Sequence, residues 1–159
     1  MASTISAGTL KVKIIEEIKL NGKDQGGVTS FNFASINEIS KRIITITTAE
    51  STIATFSAAV ASAGHYIAAD VRYMRFTNED DTNFITLTFT NEDSDEVAIK
   101  LDAGKSFIWN GDNSGGLVDN FNAVTAGNAA SDTALADVTG VQADANTASC
   151  DLEVFVASA

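Results

Sequence analysis

Phe84-Ile85-Thr86-Leu87-Thr88-Phe89-Thr90, followed after a short polar turn by Glu96-Val97-Ala98-Ile99-Lys100-Leu101, decides the fold class. Apolar and polar residues alternate strictly through both runs. A period of two places Ile85, Leu87, Phe89, Val97, Ile99 and Leu101 on one inner face, with threonines and charges on the other. Upstream, Val71–Thr77 reads as a strand. Downstream, Asp102-Ala103-Gly104 turns the chain into Ser106–Asn110, which carries Phe107 and Trp109. The four runs are expected to form a β-meander with short polar turns.

The pattern continues outward in both directions. Leu10, Val12 and Ile14 alternate with Thr9, Lys11 and Lys13, and Asn21–Gly27 is a clear turn. Val28–Ala34 follows, with Phe31 and Phe33 on one parity; Ile36–Ile39 suits a short helical turn. Arg42–Thr48 reads as a strand with Ile44 and Ile46 facing one way. Ile53, Phe56 and Val60 fit either a short helix or strands. Gly111–Gly116 reads as a loop and Leu117–Val124 as a strand. Ala126–Asp137 suits one helical turn or none. Val138–Ala145 and Ser149–Ala157 suggest a final hairpin turning near Asn146-Thr147, with Leu152, Val154 and Val156 on one face. The expectation is one all-β domain over residues 1–159, an antiparallel β-sandwich of jelly-roll type with nine or ten short strands.

Composition agrees. The 159 residues include 11 Val, 14 Ile and 17 Thr but only 7 Leu, and β-branched side chains suit a pleated surface. There is no proline, so polyproline recognition is excluded. One cysteine rules out an intrachain disulfide, and one histidine rules out most His-based metal sites. The net charge of −11 is uneven: residues 1–75 hold eight basic and six acidic side chains, residues 76–159 two and fifteen. Such a surface repels phosphate backbones and argues against nucleic acid as a partner. The start of the chain lacks the pattern of a secretory signal. The uncharged run Ser51–Ala69 is long enough for a membrane span, but its Thr, Ser, Gly and His content suits core strands instead, so no membrane contact is expected.

No catalytic constellation emerges. Gly111-Asp112-Asn113-Ser114-Gly115-Gly116 superficially resembles the surroundings of a serine nucleophile, but carries an extra Asn113, and His65 alone would have to complete a triad. Cys150 begins a strand without a nearby base and suits a buried apolar role. Phe76-Thr77-Asn78-Glu79-Asp80 recurs thirteen residues later as Phe89-Thr90-Asn91-Glu92-Asp93. Both runs are rich in oxygen ligands suited to calcium. They sit at opposite ends of one strand, roughly 20 Å apart at about 3.3 Å per residue, and read better as Asx turns. No metal, no cofactor and no enzymatic activity are expected. Arg72 and Arg75 interrupt Val71–Thr77, so neither face of that strand is purely apolar. An edge strand guarded by charge would explain this; so would a subunit contact in which Arg72, Tyr73 and Arg75 take part.

At Asp70–Asn78, Leu101–Phe107 and Leu152–Ala157 the chain resembles small virion structural proteins of tailed bacteriophages, notably those of marine and freshwater hosts. The likeness covers roughly residues 68–109 and 149–159. It implies a non-enzymatic β-sandwich located on the virion, a capsid decoration or cement protein, with a tail, neck or fibre component as the alternative. The implied partners are further copies of the chain, for instance in a trimer, and the major capsid protein or another virion protein. The charge split suggests that the basic N-terminal segment, with Lys11 and Lys13, meets the partner while the acidic half faces solvent. A carbohydrate- or receptor-binding module is the rival reading, with Trp109, Tyr73 and Tyr66 as stacking candidates.

Overall fold

The computed structural model describes residues 5–110, 117 and 137–159. The expected loop 111–116, the expected strand beyond Leu117 and the stretch up to residue 136 lie outside them. Thirteen strands occur among the described residues: β1 (Gly8–Glu16), β2 (Lys19–Leu20), β3 (Lys23–Asp24), β4 (Gly27–Ile36), β5 (Glu38–Ile46), β6 (Ser51–Ser57), β7 (His65–Ile67), β8 (Val71–Asn78), β9 (Ile85–Asn91), β10 (Glu96–Leu101), β11 (Ser106–Asn110), β12 (Val138–Ala145) and β13 (Cys150–Ser158). The excess over the expected number comes mainly from β2, β3 and β7, which are too short to show a period.

Two sheets form the body. One has the order β11-β8-β13-β5, the other β10-β9-β12-β6-β7. The pairs β5·β13, β6·β12, β8·β11 and β9·β10 are all antiparallel. They describe one long folded ribbon, β5-β6-β8-β9 running against β10-β11-β12-β13. Rolling that ribbon up brings β8 beside β13 and β9 beside β12. This is a jelly roll, an antiparallel sandwich of two sheets.

The topology corrects two expectations. Val71–Asn110 is not a meander: β8 and β11 lie in one sheet, β9 and β10 in the other. The last two strands are not a hairpin either, because β12 and β13 belong to different sheets. The turns after β8, β10 and β12 are corners joining the layers. Ile36–Ile39 is not helical; it joins β4 to β5, with Ser35 in the left-handed region at φ 61°. Ile53 and Phe56 lie on β6 and are buried, whereas Val60 beyond it is exposed.

The sequence period places the core. Ile85, Leu87 and Phe89 from β9 meet Met74 and Phe76 from β8 and Leu152, Val154 and Val156 from β13, all buried. Leu101 is buried with them. Val97 and Ile99 join the same core but are only half-buried, because β10 is the margin of its sheet.

The first four strands do not enter the jelly roll. β1 and β4 pair along their length into a two-stranded ribbon, extended by the small hairpin β2–β3. Asn21 (φ 50°) and Gly22 (φ 77°) form the two-residue turn at its tip, with the positive φ values that an Asn-Gly hairpin turn requires. Near its base the ribbon lies over the outer face of the four-stranded sheet. Phe33 and Ile36, with Leu10, Val12 and Phe31 packed beside them, cover Tyr73 and Ala157 there. Beyond Val12 the ribbon is exposed on both faces and forms an arm.

Candidate interaction surface

Strand β8 is interior, flanked by β11 and β13, and not the charge-guarded edge that its mixed faces suggested. Both faces carry apolar residues because both are covered, one by the core and one by the ribbon. Tyr73 is buried against Phe33, with ring centroids 5.6 Å apart, and against Phe155 at 5.9 Å. Burial pushes its hydroxyl above the usual tyrosine value of 10.0, with Arg75 opposing. It is thus a core residue beneath the ribbon, not part of an open contact surface. Arg72 is half-buried and donates through Nη1 to the Ala69 carbonyl at 2.6 Å, fixing the short 3-10 turn Ala68–Asp70 that precedes β8.

Arg75 faces outward into a charged cluster. Its Nη2 lies 2.5 Å from Glu153 Oε1, and its Nη1 donates to Thr77 Oγ1 at 2.5 Å. Lys41 Nζ approaches the other oxygen, Glu153 Oε2, at 2.8 Å. Glu153 is thus shared between β5 and β8, and its carboxylate is held below the ordinary value of 4.5, chiefly by the Lys41 hydrogen bond; burial opposes this, and Arg75 adds to the lowering. A carboxylate with both oxygens engaged by cations locks the outer face. It is poorly placed to act as a general acid or base. Arg42, a neighbour in sequence, points the other way: its guanidinium donates to the Ile53 carbonyl and lies against Gly64, tying β5 to β6 at the margin of the sandwich.

Lys11 and Lys13 stand exposed on the outer face of the ribbon, Lys13 where the arm begins. The pairing of β1 with β4 sets Lys11 opposite Asn32, Lys13 opposite Ser30 and Ile15 opposite Val28 on that face. Ile15 and Val28 are 62% and 65% exposed, and Ile18 and Leu20 near the tip are 49% and 57% exposed. These apolar side chains were not singled out by sequence reasoning. The adjacency Ile14-Ile15 was the available signal: it breaks the alternation and puts an apolar residue on each face of β1. On the body, Ile39 and Ile43 of the margin strand β5 are also exposed.

The remaining candidates are structural. Cys150 is buried, its Sγ 3.4 Å from the Ala148 carbonyl; burial and then the Asp80 carboxylate push the thiol up from 9.0, away from thiolate character. His65 is half-buried on β7 beside β6. Tyr66 is buried and donates from its hydroxyl to Ser40 Oγ at 3.0 Å, and Trp109 packs on Phe89 with centroids 5.1 Å apart. Trp109, Tyr73 and Tyr66 therefore form no common exposed platform.

The two acidic turns are built around buried asparagines. Asn78 donates to the carbonyls of Asn83 (2.8 Å) and Leu101 (3.1 Å) and accepts from the Asp80 amide at 3.0 Å. Asn91 accepts from the Asp95 amide at 2.8 Å. Asp80 in turn accepts from the Thr82 and Asn83 amides, chiefly the latter, which holds its carboxyl below the usual 3.8. These oxygens are spent on backbone amides, as Asx turns require. Among the described residues no group of three or more His, Cys, Asp or Glu side chains is arranged to hold a metal. No family model, curated protein or solved structure matches the chain at a significant level.

Proposed function

We propose that the protein is a non-enzymatic structural subunit of a bacteriophage virion, a capsid decoration protein that works as a homo-oligomer on the head. The observation that carries this reading is the arm. A two-stranded ribbon is at best marginally stable by itself in water. This one nevertheless holds Ile15, Ile18, Leu20 and Val28 in solvent beside Lys11, Lys13, Lys19 and Lys23. Such a surface is suited to being covered in an assembly. The body supports the reading by analogy, since jelly rolls serve viral capsid and lectin domains. Its charge supports it too: a strongly acidic body suppresses unwanted association in solution. A symmetric oligomer presents several identical contacts, so individually weak ones sum to firm attachment.

The test is co-sedimentation of purified protein with virus particles that lack it. Wild type is expected to pellet with the heads, and a variant with Lys11→Glu and Lys13→Glu to remain in the supernatant while keeping a β-type circular dichroism spectrum. Binding to isolated tails and not to heads would move the protein to the tail or neck. Binding to glycans alone would favour the receptor-binding alternative.

A further inference from the structure

We infer that two copies pair through their arms, the ribbons stacked face to face and tip to base about a two-fold axis that passes beside Ile15. On the outer face of β1, Lys11, Lys13 and Ile15 follow one another in a row, with Asn32, Ser30 and Val28 of β4 opposite them. Ile15 and Val28 are both exposed, so the face has an apolar centre with two cations on its body side. On its tip side lies a hollow of about 560 Å³. Ile15, Ile18 and Val28 supply its apolar lining, and Glu16, Glu17 and Asp24 set three carboxylates around it against Lys19. Gly26 and Gly27 keep it open: neither brings a side chain, and a Cβ on Gly26 would stand 2.0 Å from the Glu16 carbonyl oxygen.

Three features select a second copy as the occupant. The pattern is its own complement. Lys13 and Glu17 stand two residues to either side of Ile15. Laying one ribbon reversed over another therefore sets Ile15 on Ile15 and Val28 on Val28, and brings each Lys13 to the hollow and Glu17 of its partner. Lys11 then reaches Lys19 and Asp24, which lie opposite each other across β2 and β3 and balance in charge. Ribbons stacked in the same direction would leave the lysines over Ser30 and Asn32, with no acid to meet. The charges are also unspent: among the described residues Lys11, Lys13, Glu16 and Glu17 take part in no ion pair. Finally, a two-stranded ribbon is marginal by itself, and a second ribbon on this face would bury its apolar centre between two layers. The same patch serves both copies, so the contact is isologous and closes at two. This rests on the reading of the arm as an assembly element, not on attachment to a virion.

Sedimentation velocity of the full chain in the absence of particles tests it. Wild type is expected to be a dimer at micromolar concentrations. Lys13→Glu and Glu17→Lys should each self-associate about tenfold more weakly or worse, because each variant sets like charges together at both ends of its own dimer. Mixed in equal amounts, the two should form a heterodimer as firm as the wild-type dimer, since every substituted side chain then meets its opposite charge. Ile15→Asp should be monomeric. All three positions are exposed, so these variants should keep the wild-type circular dichroism spectrum. In a Cys150→Ser background, Ile15→Cys should oxidise into a covalent dimer, and Ile43→Cys, exposed on the body, should not. A monomeric wild type, an Ile15→Asp variant that still dimerises, a mixture that stays monomeric, or covalent dimers from Ile43→Cys and none from Ile15→Cys would overturn the inference. Monomeric wild type that still pellets with heads would defeat this contact alone; dimers that never pellet with particles would defeat the virion reading alone.

Discussion

Phe76 and Phe89 meet edge to face between the two sheets, with ring centroids 5.9 Å apart and planes inclined at 85°. They open the two Phe-Thr-Asn-Glu-Asp runs, so the repeat has a structural cause. Each run ends a core strand, one in each sheet. Its phenylalanine enters the shared core, and its asparagine, two residues on, is buried where the strand gives way to a turn. Phe89 also packs on Phe107 and Trp109 of β11, which makes it the hub of the aromatic contacts.

Phe89→Ala is therefore expected to cost about 3–5 kcal/mol, the range for removing a buried aromatic ring. Phe89→Leu should cost less. Urea unfolding followed by tryptophan fluorescence measures both, with Trp109 as the reporter; a loss below about 1 kcal/mol for the alanine variant would contradict the packing described.

Asn78→Ala leaves the Asn83 and Leu101 carbonyls and the Asp80 amide without their side-chain partner. A loss of about 1–3 kcal/mol is expected, since unsatisfied buried groups retain their full desolvation penalty. Asp81→Asn, on an exposed side chain of the same turn, should change stability by less than about 0.5 kcal/mol. Urea midpoints of the two variants compare them directly.

Acid stability follows from Glu153. Its folded value lies below 4.5, so its contribution is fully present above that pH and is lost as the pH falls through the lower, folded value. Asp80 acts in the same direction below 3.8. Melting temperatures recorded downward from neutral pH should hold until about pH 4.5 and then fall. In Glu153→Gln the fall should be shallower and the stability at neutral pH lower, because Arg75 and Lys41 lose their shared partner. An unchanged acid limb in that variant would contradict the assignment.

Cys150 should be inert while the chain is folded. Thiol reagents are expected to label it slowly in buffer and rapidly in denaturant, and Cys150→Ser should alter stability only. Labelling in buffer at the rate of a free thiol would contradict its burial.

The alternation of Ile85–Phe89 and of Val97–Leu101 was enough to name the fold class and the inner face, because a half-buried strand writes its burial pattern locally. Pairing is not written locally. Cys150 lies opposite Ile46, and Leu152 lies opposite Asn78, partnerships set by how a long ribbon rolls up. That is why adjacent strands were read as a meander and a hairpin when they cross between sheets. Arg72, Tyr73 and Arg75 misled for a related reason. Apolar residues on both faces of β8 signalled two covering layers, and the second layer, the ribbon, is contributed by residues some forty positions upstream. Of the interface candidates, Lys11 and Lys13 do stand on the exposed outer face of the ribbon. The exposure of Ile15, Val28 and Ile43 beside it was hidden, because isoleucine and valine in a strand read as core until the neighbours are known.

Cryo-electron microscopy of particles decorated with the purified protein locates the protein on the virion. Jelly-roll density is expected on the outer surface of the head, in symmetric clusters, with the ribbon of residues 8–36 covered by neighbouring protein. Heads without such density after incubation, or density confined to the tail, would contradict that placement.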